Sequence, residues 1–304
     1  MYGGVHFPNG PEGDFFNLPP TITVMLAGEA RWHYADARDK GWAVIWRAVP
    51  RVGHRPAELN WDVPAVAQEC LRHWDEQPHD DGDEEFFMPL NELDLNGERG
   101  DSENDFENQQ ERYAKLGNFL YALYYELTDL LPSNVSIVFP AWTPDHDALK
   151  YVDEWRDAAL TYDIIAFHAY GNAETLVGQY EAYLDTFPHT LLVVTEWHDN
   201  NGNPDEIGRC IERLSDLYHG SDSFMGACYF TYHWYDPPGW WPGALNLDEN
   251  PGALDHFMAE PDAPPEIKKE ASWFDEMDQP ARYGPFAKKP ETLLESDEHP
   301  PFRP

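Results

Sequence analysis

The chain has 304 residues, of which 42% are apolar and 14% are aromatic. A chain of this length and composition can bury one large core, and α/β barrels commonly reach this size undivided, so disorder is not expected. It carries 56 acidic residues against 20 Lys plus Arg, which gives a formal net charge of −36. Nucleic acid and anionic membranes are therefore not expected as partners, because binding either one relies on clustered Lys and Arg.

The excess of Asp and Glu, with only seven Lys residues, is typical of a halophilic-like protein that stays soluble in high salt. No apolar run is long enough to cross a membrane, and the first ten residues lack the basic and then apolar layout of a signal peptide. We therefore predict a soluble protein. Secretion or release at a cell surface stays open, and the sequence does not indicate an oligomeric state.

The three cysteines, Cys70, Cys210 and Cys228, each fall inside an apolar helix or strand pattern. Their odd number and their apolar surroundings argue against a disulfide framework or a metal knuckle. They are predicted to be buried, reduced thiols.

Eight short apolar or β-branched runs, separated mostly by helical patterns, predict eight strands. In chain order they are GVHF (4–7), TITVML (21–26), WAVIW (42–46), FFMPL (86–90), VSIVF (135–139), IIAFH (164–168), LLVVT (191–195) and GACYFTY (226–232). Three of the segments between them, 64–76, 109–131 and 204–219, have clear helical periodicity. Pro204 is typical of the first turn of a helix and Gly220 of its end, so the third helix is bounded on both sides.

Strands that alternate with helices indicate βαβ units and a parallel sheet. Eight strands predict an α/β fold in which residues 1–260 form a single-domain (β/α)8 TIM barrel. The first connection, 8–20, contains no convincing helix, so an open doubly wound sheet is the competing fold. No Gly-rich phosphate-binding fingerprint follows any strand, which removes the usual cofactor of that alternative.

Residues 261–304 differ in composition, with nine of the 27 prolines and four of the seven lysines. Proline at that density prevents regular structure, so this segment is predicted to be an extended tail. It either packs across the barrel through its aromatic residues or is partly disordered.

In a (β/α)8 barrel the functional groups lie at the C-terminal ends of the strands. Glu92 follows the fourth predicted strand, directly after Asn91, and Glu196 follows the seventh. The sixth strand ends in FHAY, which supplies His168 and Tyr170. These polar side chains are therefore expected to meet at one end of the barrel.

This combination resembles the clan-A glycoside hydrolases, the barrel superfamily that includes the family-5 cellulases and mannanases and the family-39 enzymes. The resemblance covers roughly residues 3–240 by the pattern and order of the motifs. It implies an acid/base from an Asn-Glu pair on strand four, a nucleophilic Glu on strand seven, and a substrate site with His-x-Tyr, an Arg and a Trp. The matching residues are Asn91, Glu92, Glu196, His168, Tyr170, Arg31 and Trp234.

Two positions bear on how far this resemblance extends. Arg47, at the end of the third strand, competes with Arg31 for the arginine position. Leu93 stands where a Pro often follows the Asn-Glu pair, so the exact family is not assigned.

The chemistry that the resemblance implies requires one protonated and one ionised carboxyl group. We expect Glu92, preceded by an apolar run, to be held neutral by desolvation and by its negative neighbour. Glu196 is expected to be kept ionised by hydrogen-bond donors, for which Tyr170 and an Arg are the candidates. Glu196 would then attack the anomeric carbon while Glu92 protonates the leaving oxygen and Asn91 hydrogen-bonds the 2-hydroxyl.

Tryptophans are frequent at or just beyond the predicted strand ends, where aromatic faces can stack on pyranose rings. The seven are Trp32, Trp46, Trp142, Trp197, Trp234, Trp240 and Trp241. We predict that they line a sugar cleft, with Trp142, Trp197 and Trp234 as substrate-binding residues. The alternative is that these large side chains close the top of the barrel.

No cofactor is predicted. Carboxylates are closely spaced in 79–85 and 94–105, which suits weak binding of a structural calcium, although such clusters also arise by chance in so acidic a chain. Catalytic zinc is disfavoured because strand one offers only His6 and strand five ends without a histidine.

Three functions remain. The first is a retaining O-glycosyl hydrolase that acts inside an oligo- or polysaccharide chain, and it is favoured because both carboxylates are present. The second is a non-catalytic carbohydrate-binding or structural barrel that kept the cleft. The third is a barrel hydrolase that uses the acidic rim with a divalent ion, which the missing histidines disfavour. So acidic a cleft favours neutral or amino-sugar glycans over uronates and sulfated chains.

Overall fold

The computed structural model describes most of the predicted elements. The described residues are 3–7, 22–26, 34–39, 41–48, 51–52, 55–56, 62–79, 84–94, 108–143, 148–231 and 245–258. Of residues 3–7, 34–36, 51–52 and 55–56 only the backbone is described. The first connection, 8–20, and the predicted tail, 261–304, lie outside the described residues.

Eight parallel strands close into a barrel. They are β1 (Gly3–Phe7), β2 (Ile22–Leu26), β3 (Ala43–Arg47), β4 (Glu85–Met88), β5 (Val135–Phe139), β6 (Ile164–Tyr170), β7 (Leu191–His198) and β8 (Phe224–Tyr229). Each strand pairs with the next one along the chain, and β8 closes the barrel by pairing with β1, Ala227 beside Gly3. The predicted (β/α)8 barrel is confirmed, and the open doubly wound sheet is excluded.

Helices lie between the strands. They are α1 (Tyr34–Asp39), α2 (Val63–Asp75), α3 (Gln109–Leu130), α4 (Arg156–Ala159), α5 (Ala173–Thr186), α6 (Pro204–Gly220) and α7 (Pro251–Met258), with 3₁₀ turns at Ala148–Glu154 and Leu247–Glu249 and a hairpin of Arg51–Val52 with Arg55–Pro56. The three helices predicted from periodicity are α2, α3 and α6, each correct to within one residue. In the described part of the chain, no helix is both long and apolar enough to span a membrane.

Asparagine caps set where several helices begin. Asn108 precedes α3 and accepts the backbone N–H of Glu111 at 2.9 Å, and Asn172 precedes α5 and accepts that of Thr175 at 2.9 Å. Each cap satisfies one of the donors that the first turn of a helix leaves unpaired, which stabilises the helix by roughly 1 kcal/mol. The caps therefore determine where the chain turns from a strand end into a helix.

Alternating side chains along the strands build two apolar layers. The inner layer fills the barrel and contains Ile22, Val24, Ile45, Met88, Val138, Ile164, Ala166, Val193 and Cys228. The outer layer lies between the barrel wall and the helices and includes the large rings of Trp46, Phe87, Phe139, Phe167 and Trp197. Because the barrel interior is packed with side chains, only the strand ends can present polar groups to a ligand.

The cysteine prediction is confirmed. Cys70, Cys210 and Cys228 are buried and free. Burial raises the pKa of all three thiols, that of Cys210 to about 12, so they are protonated and unreactive at neutral pH. The Sγ of Cys70 lies 3.4 Å from the carbonyl oxygen of Pro89, a weak hydrogen bond that joins α2 to the segment after β4.

Gly117 and Gly178 provide a matched test of helix packing. A Cβ on Gly117 in α3 would lie 2.5 Å from the carbonyl oxygen of Glu154, whereas one on Gly178 in α5 would meet nothing within 4 Å. Gly117→Ala is expected to lower the free energy of unfolding by about 1–3 kcal/mol, because backbone atoms must move. Gly178→Ala is expected to raise it by about 0.5–1 kcal/mol through helix propensity. Denaturant unfolding measures both, and equal effects of the two substitutions would contradict the packing.

Candidate active site

The mouth of the barrel collects polar side chains from the C-terminal ends of four strands. They are Arg47 from β3, Glu92 after β4, His168 and Tyr170 from β6, and Glu196 from β7. All except Glu92 and Tyr170 are buried residues. The structure thus brings together four of the predicted site residues, together with the arginine that competed with Arg31.

Strand alternation explains why three of these side chains face the barrel axis. Ala166 of β6 belongs to the inner layer, so the two-residue period carries His168 and Tyr170 to the same face. Ile45 of β3 also belongs to the inner layer, which turns Arg47 inward at the end of that strand.

Glu196 faces the barrel axis only because β7 contains one extra residue. Val193 is in the inner layer, so strict alternation would point Glu196 outward. The register with both neighbouring strands shifts by one residue just after Val194. This β-bulge at Thr195 reverses the alternation, so that Glu196 points inward and Trp197 points to the helices.

Two donors among the described residues hold the carboxylate of Glu196. Its Oε1 is paired with the guanidinium of Arg47, and its Oε2 accepts a hydrogen bond from the hydroxyl of Tyr170 at 2.5 Å. Burial raises the pKa of Tyr170 well above its ordinary value, and the neighbouring carboxylates add to the shift, so this hydroxyl stays protonated as a donor. A cation and a hydroxyl together stabilise the charged form of the carboxylate.

The imidazole of His168 lies between the two glutamates. Its Nδ1 is 2.9 Å from Oε1 of Glu92, and its Nε2 is 3.7 Å from Oε1 of Glu196. Burial lowers the pKa of His168, but the two carboxylates outweigh burial and hold the pKa above its ordinary value, with Arg47 opposing them. The ring can therefore place a positive charge between the two acidic groups.

Glu92 occupies an unusual backbone conformation at the rim. Its φ is +40°, in the left-handed region that costs a non-glycine residue about 1 kcal/mol. Its backbone N–H donates to the carbonyl of Ala141 at 2.9 Å, which ties it to the end of β5. Beside it, Asn91 is buried, and the side-chain oxygen of Asn91 has no hydrogen-bond partner among the described residues.

His198 is a site residue that the sequence reasoning missed. Its ring stacks on that of Tyr170, with centroids 4.2 Å apart and planes 13° from parallel. Its Nδ1 accepts the backbone N–H of Asn200 at 3.0 Å, so the neutral ring carries its proton on Nε2. The sequence could have indicated His198 through its position two residues after Glu196, but β7 was predicted to end at residue 195.

Two predicted site residues, Arg31 and Trp234, lie outside the described residues. Among the described residues, Arg47, the competing candidate, pairs with Glu196.

The prediction that Trp142 and Trp197 stack on substrate is wrong. Their residues are only 2% and 0% exposed. Trp197 packs against Tyr229 and Phe257 in the outer layer, because the bulge in β7 turns it away from the barrel axis. Trp46 is buried in the same layer. Trp32, Trp240 and Trp241 lie outside the described residues.

The described residues include no group of three or more acidic, histidine or cysteine side chains arranged to hold a metal ion. Most of 94–105 and part of 79–85, the segments predicted to suit calcium, lie outside these residues. Asp94 and Glu85 are described, and both carboxylates are engaged by protein donors, Asp94 by Thr143 and Glu85 by His79.

Comparisons with known proteins agree with the observed fold. No known family profile and no curated protein sequence matches the chain. A GH128 (subgroup II) endo-β-1,3-glucanase from Sorangium cellulosum has a TM-score of 0.60 and 17% identity, covering 87% of this chain and 100% of that one. The catalytic domain of a mannanase from Streptomyces sp. SirexAA-E has a TM-score of 0.51 and 15% identity, covering 81% of this chain and 78% of that one. Both similar structures are clan-A glycoside hydrolases, and at these identities the likeness establishes the (β/α)8 barrel.

His198 makes the native state sensitive to acid. Burial lowers its pKa to about 4, although Glu196 and Asp199 oppose the shift. The unfolded chain binds this proton below about pH 6.5 and the folded chain resists it, so stability falls as the pH drops from about 6.5 to about 4. The loss attributable to this group is at most about 3 kcal/mol.

His198→Asn keeps an acceptor for the backbone N–H of Asn200 and removes the titrating ring. Denaturant unfolding between about pH 4 and 7 should therefore show a shallower loss of stability in this variant than in the wild type. His189→Asn, at an exposed position with positive φ, is the control and should keep the wild-type slope. An unchanged slope in His198→Asn would contradict the assignment of a buried neutral ring.

Proposed function

We propose that this chain is a retaining glycoside hydrolase that cleaves a polysaccharide by double displacement. One observation carries the proposal: Glu92 and Glu196, from different strands, face the two nitrogens of one buried imidazole at the mouth of the barrel. Glycoside hydrolysis requires a pair of carboxyl groups close together, and the C-terminal mouth is where barrel enzymes carry their chemistry.

Glu196 is the proposed nucleophile. Arg47 and Tyr170 each donate to one of its oxygens, and 6% of its side chain is exposed, so it is held in one orientation with its charge compensated. A fixed, ionised carboxylate can attack the anomeric carbon without first having to be ordered.

Glu92 is the proposed acid/base. Its side chain is more exposed than that of Glu196, at 14%, which suits a group that must reach the leaving oxygen and then a water molecule. In the first step its proton passes to the glycosidic oxygen while the bond from that oxygen to the anomeric carbon breaks and Glu196 forms an ester. In the second step it takes a proton from the water that attacks the anomeric carbon and releases Glu196.

Neutral or amino-sugar polysaccharides are the proposed substrates. The net charge of −36 and the two carboxylates at the mouth would repel uronates and sulfated chains at low salt. The two similar structures are named for cleavage of β-1,3-glucan and of mannan, so these neutral polymers come first in a substrate panel. The buried amide of Asn91, whose oxygen has no partner among the described residues, is the proposed group that bonds a sugar hydroxyl, and no cofactor is proposed.

A second candidate is a carbohydrate-binding barrel without turnover. One observation favours it: both oxygens of Glu196 are already engaged by Arg47 and Tyr170, a pattern that would equally suit a structural ion pair. The two candidates differ in whether a bound glycan is ever cleaved.

Release of reducing ends from β-1,3-glucan, mannan and N-acetylated polysaccharides, at low and molar salt, tests the proposal. Glu196→Gln and Glu92→Gln should each lower the rate by at least about 100-fold, because each removes a group that takes part in bond making. Azide should restore Glu92→Gln on substrates with a good leaving group, since a small anion does not need deprotonation by Glu92.

Glu85→Gln is the matched control. Glu85 lies at the opposite end of β4, is buried, and contacts the Nδ1 of His79 at 2.7 Å, much as Glu92 contacts His168. The activity of Glu85→Gln per folded molecule should equal that of the wild type. Binding of a glycan without cleavage under every salt condition would replace the proposed function with the second candidate.

A further inference from the structure

Asp94 is a fully buried carboxylate two residues beyond Glu92. Its Oδ1 accepts the backbone N–H of Thr143 at 2.9 Å and the hydroxyl of the same residue at 3.0 Å. Its Oδ2 accepts the hydroxyl of Tyr113, in α3, at 3.0 Å. A carboxylate is buried in this way only where donors compensate it, so the conformation of the loop after β4 depends on these bonds.

These bonds continue the pairing of β4 and β5 beyond the ends of both strands. Glu92 donates its backbone N–H to the carbonyl of Ala141, and two residues further along each loop Thr143 donates its N–H to the carboxylate of Asp94. In a continued parallel ladder the N–H of Thr143 would bond the carbonyl of Glu92, and here it bonds the side-chain carboxylate of Asp94, two residues further on, instead. The loop is thereby held at the backbone N–H of Glu92 and again at the side chain two residues later.

The backbone of Glu92 requires such support. At a φ of +40° it lies in a region that Asn, Asp and Gly adopt more readily than Glu, so the surroundings must impose the conformation. If the loop relaxed to a negative φ, the Cα–Cβ bond would turn, and the carboxyl group would leave the nitrogen of His168 that it contacts at 2.9 Å.

We propose that Asp94 is a positioning residue for the acid/base. By accepting hydrogen bonds from Thr143 and Tyr113, it holds the loop so that Glu92 keeps its left-handed backbone conformation. The carboxyl group of Glu92 then points toward His168. The inference rests on the proposed function for the role of Glu92, whereas the geometry that it asserts can be measured without turnover.

The first experiment follows the titration of His168 by NMR in the full chain. The titratable and charged groups near this ring are Glu92, Glu196, Arg47, Tyr170 and His198. The resonance is assigned as the one absent from His168→Gln. Glu92→Gln should lower the pKa of His168 by about 1 pH unit, because it removes a neighbouring negative charge while keeping an oxygen that can accept from the ring. Asp94→Ala should also lower the pKa of His168, because the carboxylate of Glu92 moves away from the ring.

The second experiment measures hydrolysis of aryl glycosides of the sugar released from the polysaccharide, with nitrophenols of graded acidity as leaving groups. A misplaced acid matters most where the leaving group needs a proton. Asp94→Ala should lower kcat by about 10- to 100-fold on the poorest leaving group, with little loss on dinitrophenol and KM within about twofold of the wild type.

Three further variants keep the test decisive. Thr143→Val removes one of the three described hydrogen bonds to the carboxylate of Asp94. It should change the pKa of His168 and the leaving-group dependence in the same direction as Asp94→Ala but by less, so it provides the test if Asp94→Ala does not fold. Asp94→Asn keeps an acceptor for Thr143, so the pKa of His168 and the leaving-group dependence should both lie close to their wild-type values. Asp163→Asn is the control, because Asp163 accepts the backbone N–H of Ile137 at 2.8 Å at the opposite end of the barrel and should alter neither readout.

The outcomes separate the two proposals. If the wild type cleaves glycosides but Asp94→Ala leaves both the pKa of His168 and the leaving-group dependence unchanged, the inference is overturned and the proposed function stands. If the wild type cleaves nothing but Asp94→Ala still lowers the pKa of His168, the proposed function fails and the positioning of Glu92 by Asp94 stands.

Discussion

The mouth of the barrel must hold two acidic side chains beside each other, and the arrangement of the other polar residues follows from that. A buried carboxylate without a partner costs several kcal/mol. Arg47 compensates Glu196, and the imidazole of His168 lies between Glu196 and Glu92 with a raised pKa. Glu196 is therefore held by a permanent cation and a hydroxyl, whereas Glu92 contacts an imidazole, which can titrate. Unequal environments of this kind are how two carboxyl groups acquire different roles in one site.

Two local departures from regular backbone structure place these glutamates. In β7 the bulge at Thr195 turns Glu196 inward, and after β4 the left-handed conformation of Glu92 turns the chain at the rim. Both departures cost stability, and both are supported by the surrounding structure. The bulge is flanked by paired strands on each side, and the turn is fastened by the bonds of Asp94. Irregular backbone at the strand ends is thus the means by which a regular barrel presents its chemistry.

The abundance of aromatic residues has a structural explanation in the described part of the chain. Trp142 and Trp155 pack edge to face in the outer layer, and Trp197 packs there against α7. Each such ring buries a large apolar area, and edge-to-face pairs add a small further stabilisation. The number of tryptophans therefore does not by itself measure the sugar-binding surface of a barrel.

Most of the fold was determined by the sequence. The eight strands, the three periodic helices and the burial of the cysteines followed from local apolar patterns, because strand and helix periods are properties of neighbouring residues. The strand-end positions of Glu92 and Glu196 followed from the same patterns. Tertiary structure alone decided that Arg47 meets Glu196, which way Trp197 faces, and that Asp94 is buried. These depend on strand register and on contacts between residues far apart in the chain, and a one-residue bulge is enough to reverse the direction of every side chain after it.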